Sequence, residues 1–263
     1  MTDTLPTLPS FGLELPQSAI ITAALKFAKE HCNILTYNHA VRSAYWAAII
    51  AKKDTSFSGS QVDMELVVLS CVLHDMGWAE TKDLLSSDKR FEVDGANIAR
   101  DFINKFNAQQ GANASPWDQQ RIQRCWDVIA LHTTFSIARY AAPEVAVAAC
   151  GIFADFQGPY FPNGPGGDNL ITLDEYHAVM SLFPRAGFTV DGFTHLMCGI
   201  CRDKASTTYD NFVGEFGTQH GVDGAGAGKE AFAQAQQSAS VVKLLVGGLD
   251  ALEKLDNDKE SAR

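Results

Sequence analysis

The run Val67-Val68-Leu69-Ser70-Cys71-Val72-Leu73 is apolar almost throughout and stops abruptly at His74-Asp75-Met76-Gly77. A segment without a polar stripe cannot lie on a surface. It reads as a helix buried all round, so the chain must pack other helices against every face of it. The end of that helix delivers two ionisable side chains, His74 and Asp75, to the edge of the core. A polar group left unpaired there costs about 2–7 kcal/mol, and a charge costs more. Gly77 suits the terminus, because glycine takes the left-handed conformation without steric penalty.

Two other residues match the chemistry of this pair. His39 lies at the start of a helical pattern over 37–53, with Asn38 as a candidate cap. Asp155 emerges from 143–156, a stretch that is apolar except for Glu144 and Asp155 itself. Neutral imidazoles and ionised carboxylates together form a mixed nitrogen/oxygen set suited to zinc, iron or manganese. We therefore expect one divalent metal, zinc first and Fe2+ or Mn2+ next, held by His39, His74, Asp75 and Asp155. Such an ion lowers the pKa of water towards neutrality, so the expected chemistry is on water.

The remaining elements are read as helices, with no competing alternation of strand type. Asp63 caps the buried helix, which is expected to run on to Asp75. A helix over 92–106 places Val93, Ala96, Ile98, Ala99, Phe102 and Ile103 on one face. Ser115-Pro116-Trp117-Asp118 opens another helix, with Ser115 as cap and Pro116 at the first position, which ends near His132. Helices over 172–183, 190–204 and 230–255 follow. The Gly-rich stretch 217–229 fails as a phosphate loop, since Asp223 stands at the first required glycine and Glu230 at the Ser/Thr position.

With 263 residues, of which 46% are hydrophobic, the chain can bury a substantial core. The expected layout is an N-terminal extension over 1–20, one helical domain over 21–255 and a disordered tail over 256–263. A net charge of -10 disfavours nucleic acid and anionic membrane as partners. No apolar run approaches the roughly 20 residues needed to span a bilayer, and residues 1–16 lack the pattern of a secretory leader. These features point to a cytoplasmic protein whose partner is a small-molecule substrate, with a homo-oligomer compatible. The six cysteines then read as reduced thiols, and Cys198-Gly-Ile-Cys201 has no second pair to close a four-cysteine site.

The motifs Asn38-His39-Ala40, Leu73-His74-Asp75, Phe91-Glu92-Val93-Asp94-Gly95-Ala96, Ile129-Ala130-Leu131-His132, Ala154-Asp155, Phe183-Pro184-Arg185 and Thr207-Thr208-Tyr209-Asp210-Asn211-Phe212 resemble the HD-domain metalloenzymes. Within them the sequence is most similar to the fungal cyanamide hydratases and their HD-type relatives. The resemblance implies an all-α, compact helical bundle with the metal site between central helices. It implies a hydro-lyase that adds water to a small nitrile-type substrate, cyanamide to urea. His132, the single histidine between His-Asp and Asp155, implies one metal rather than two and an acid/base or hydrogen-bonding role. Glu92, Asp94 and Asp210 are candidates to orient ligands, and Trp78, Phe91 and Tyr209 to line the pocket. The alternative is phosphomonoester or nucleotide hydrolysis, with Lys82, Arg42 and Arg185 as phosphate binders. Some nucleotidases of this fold place an acid where this chain has Trp78, and an indole suits a small neutral substrate better.

Overall fold

The computed structural model describes residues 4–59, 61–109 and 117–261. The chain divides into two compact units, Met1–Phe188 and Thr189–Arg263, where the sequence reading runs one domain through both. Among the described residues the structure is all-α, with the bridge Leu8–Leu13 as the only strand-like pairing. None of the described helices is long and apolar enough to cross a membrane.

The first unit holds α1 (Ala19–His31), α2 (Ile34–Lys53), α3 (Met64–Leu73), α4 (Phe91–Gln109), α5 (Gln119–Leu131), the single turn α6 (Phe135–Ala138), α7 (Pro143–Gln157) and α8 (Leu173–Leu182). As its composition requires, α3 is the central rod: Leu66 through Leu73 are all buried, with α1, α2, α5 and α7 packed round it. Asp63 caps it by accepting a hydrogen bond from Leu66 N at 3.1 Å. The helix stops at Leu73 rather than Asp75, and His74 becomes the capping residue.

The most extensive contact in the unit joins α2 to α7. It depends on small residues. A Cβ added to Gly151 would stand 2.6 Å from Ala47 Cβ, Ala47 N and Ser43 O, so the two backbones are as close as a glycine permits.

Several boundaries differ from the sequence reading, each for a local reason. α2 starts earlier, at Ile34, because Asn33 caps it by accepting from Thr36 N; Asn38 is buried inside the helix and donates to Pro184 O at 2.8 Å. Asp118, accepting from Arg121 N, caps α5, while Ser115 and Pro116 lie outside the described residues. Gly77 is not left-handed; any Cβ there would collide with the carbonyl of Phe91, so this glycine serves close packing of the Met76–Trp78 turn on α4.

The second unit comprises α9 (Val190–Asp203), α10 (Phe212–His220), α11 (Lys229–Ser238) and α12 (Val241–Ser261). The expected helix over 230–255 is two helices, and α12 extends through residues assigned to a disordered tail. Cys198 and Cys201 are buried thiols that donate to Phe216 O at 3.8 Å and Val213 O at 3.2 Å. All six cysteines are free, and burial raises the Cys32 and Cys125 thiols to about 12.

Replacing Gly151 with Ala should push α7 off α2 and lower stability by about 1–3 kcal/mol. Thermal unfolding checks this, and an unchanged Tm would show that the α2–α7 seam tolerates a wider spacing.

Candidate metal centre

Two helix ends and one helix face supply the site. His39 lies in the second turn of α2, His74 and Asp75 follow α3 directly, and His132 caps α5. All four are buried. In each imidazole one nitrogen is already committed. Nδ1 of His74 donates to Cys71 O at 2.7 Å, Nδ1 of His132 donates to Ile129 O at 2.6 Å, and Nδ1 of His39 donates to Asp155 Oδ2 at 2.8 Å. With Nδ1 carrying the proton, a neutral ring presents a lone pair at Nε2.

Those lone pairs converge on Asp75. Its Oδ2 lies 2.9 Å from His74 Nε2 and 3.5 Å from His39 Nε2, while Oδ1 lies 3.7 Å from His132 Nε2. His74 Nε2 and both Asp75 oxygens make no hydrogen bond although they are fully buried. Electron pair against electron pair at 2.9 Å is repulsive, and a shared cation removes the repulsion. Burial lowers His74, but the charge and contact of Asp75, with the Cys71 carbonyl and Asp155, together raise the imidazole; burial raises Asp75, but His74, His39 and His132 together lower it. The ligand atoms of His39, His74 and Asp75 all lie within 4.8 Å of one another, so this trio fits a divalent metal.

Asp155 stands one bond further out. Its Oδ1 accepts from Arg42 Nε at 2.8 Å and Trp46 Nε1 at 2.7 Å, and its Oδ2 accepts from Arg42 Nη2 at 2.7 Å and from His39. Four donors occupy the lone-pair sites of the carboxylate. Asp155, expected among the ligands, is not one of this trio; its Oδ2 meets the opposite nitrogen of His39, the contact an outer carboxylate makes with a ligating histidine. Burial alone would raise the Asp155 carboxyl, but the Arg42 and His39 bonds hold it well below the usual carboxylate range. Arg42 also donates to the carbonyls of Phe183 and Pro184. Arg42 and Trp46 are the pieces that sequence reasoning missed in this role. Their spacing of three and seven residues from His39 puts all three on one face of α2.

His132 lies beyond the trio but beside it. Burial, then the neighbouring His74, lowers it to about 4, which leaves a neutral ring with an accepting Nε2. Aromatic rings wall the site: Phe188 stacks on His39 at 4.5 Å, Phe156 meets His39 edge-on at 5.4 Å, and Phe91 meets His132 edge-on at 5.6 Å. Trp78 stacks on Phe91 at 5.1 Å. Glu92 is buried behind His132 and accepts from Thr133 Oγ1 at 2.6 Å and Arg90 Nη2 at 2.7 Å. Asp94 instead accepts from Ser86 N and Oγ, which ties down the loop before α4. Tyr209 and Asp210 belong to the second unit, where Tyr209 packs edge-on against Phe232 and Asp210 accepts from Asn211.

Residues 36–152 match the HD domain family. This supports a place in the HD-domain superfamily. HD domains bind divalent metals and are typically metal-dependent enzymes, in keeping with the buried trio. His39, His74, Asp75 and His132 fall within the matched segment, and Asp155 lies just past its end. No curated protein matches the chain.

His74→Ala and Asp75→Ala should abolish bound metal, measured by elemental analysis, whereas His132→Ala should retain it. Asp155→Asn should weaken metal affinity roughly 10–100-fold without eliminating the site; a variant that holds no metal even at saturation would put Asp155 among the ligands. Arg42→Met strands the Asp155 charge in the core and should cost about 3–5 kcal/mol in denaturant unfolding.

Proposed function

We propose that this chain is a metal-dependent hydro-lyase that adds water to the carbon–nitrogen triple bond of a small neutral nitrile, with cyanamide converted to urea. The observation that carries the reading is the site's enclosure: His39, His74 and Asp75 are each no more than 2% exposed and sit behind phenylalanine rings. Such burial favours a molecule of a few heavy atoms. The arginines nearest the trio are turned elsewhere, Arg42 onto the Asp155 side chain and Arg185 onto the Asp155 backbone carbonyl at 2.9 Å. A phosphate monoester would need those charges free.

His39, His74 and Asp75 would hold the metal, zinc in our reading, which supplies Lewis acidity and an acidified water. The chain's own part is to position and to move protons. The Asp155 and Cys71 bonds fix the two ligand imidazoles in the tautomer that points Nε2 inward. His132 Nε2 is a proton acceptor by the same logic. It takes the proton released as water attacks the substrate carbon and returns it to the substrate nitrogen. Phe91, Phe156 and Phe188 exclude bulk water from the exchange.

The second reading, phosphomonoester hydrolysis, is favoured by the HD domain match, because that family suggests hydrolase or phosphohydrolase chemistry. Zinc-loaded protein incubated with cyanamide in parallel with nucleoside monophosphates separates the two. Urea without phosphate release is the expected result. Phosphate release without urea would reverse the order of the readings.

A further inference from the structure

Among the described residues, five buried side-chain polar atoms lack a hydrogen-bond partner, and four of them lie between His74 and Trp78. His74 Nε2 and the two Asp75 oxygens are electron-pair donors, which a cation satisfies together. The fourth, Trp78 Nε1, is of the opposite kind. An indole nitrogen is a donor only, so a cation repels its N–H and an acceptor atom must meet it. Native structures rarely leave such a group unmet.

Its position connects it to the reacting centre. The Met76–Trp78 turn is a 3-10 helix, with Trp78 N bonded to Asp75 O at 3.1 Å. Trp78 thus follows Asp75 by a single backbone-bonded turn. The ring is then pinned face to face on Phe91, at 5.1 Å and 2°, and Phe91 in turn abuts His132.

We propose that Trp78 Nε1–H is a substrate-binding donor that pairs with the terminal nitrogen of the nitrile. That atom gains electron density as water adds to the adjacent carbon, so the bond strengthens towards the transition state. This inference rests on the hydration reading above. It gives the specificity a chemical form: the substrate is small and neutral and presents an acceptor nitrogen to the indole.

Trp78→Phe keeps an aromatic ring against Phe91 and removes the N–H together with part of the indole's volume. In the metal-loaded enzyme it should lower kcat/KM for cyanamide about tenfold or more. Metal content should be retained. In wild-type protein the indole N–H resonance of Trp78, assigned by its loss in the variant, should shift on addition of urea. Wild-type turnover with an unimpaired variant, or with an unmoved indole resonance, overturns this inference alone. Absence of urea formation by the wild type overturns the hydration reading, and this inference with it.

Discussion

The carboxylate of Asp155 is the point at which the fold and the site become one object. It is fully buried and takes hydrogen bonds from three residues of a single helix, His39, Arg42 and Trp46, spaced as one face of α2 demands. A buried charge is tolerated only when paired and saturated with donors, and here four donors meet two oxygens. The arrangement requires α7 to approach α2 closely, which Gly151 allows. The helix pair thus closes around a charge whose partner, His39, points its other nitrogen at Asp75.

The rest of the site repeats one local device. His74 and His132 each terminate a helix, and each turns Nδ1 back onto the carbonyl three residues earlier. A helix end leaves carbonyls without intrahelical donors, so the capping imidazole repairs that defect and in doing so fixes its own tautomer. Structural satisfaction and chemical readiness come from the same bond. The same geometry separates their tasks, since His74 reaches the ligand trio while His132 stands to one side of it.

Much of this was legible in the sequence. The all-apolar α3 demanded a helical surround, and His74-Asp75 at its end demanded a partner; both follow from local composition alone. Helix starts set by a side chain and a backbone N–H a few residues away, such as Asp63 and Thr172, were equally readable. What was not readable were the long-range choices. Which side chains of α2 meet Asp155 depends on how α2 and α7 pack, and sequence distance is silent on that. Gly77 and Asn38 were misread for a related reason: a glycine or asparagine at a plausible terminus was assigned a local role, when each serves a contact with a segment far along the chain.

The enclosure of the trio bears on how the protein would come to hold an ion at all. His39 is covered by Phe188 on its face and Phe156 at its edge, and its inner nitrogen faces a carboxylate that is itself 2% exposed. Loading and loss therefore require the bundle to breathe, and the exchange rate is set by that opening rather than by ligand affinity alone.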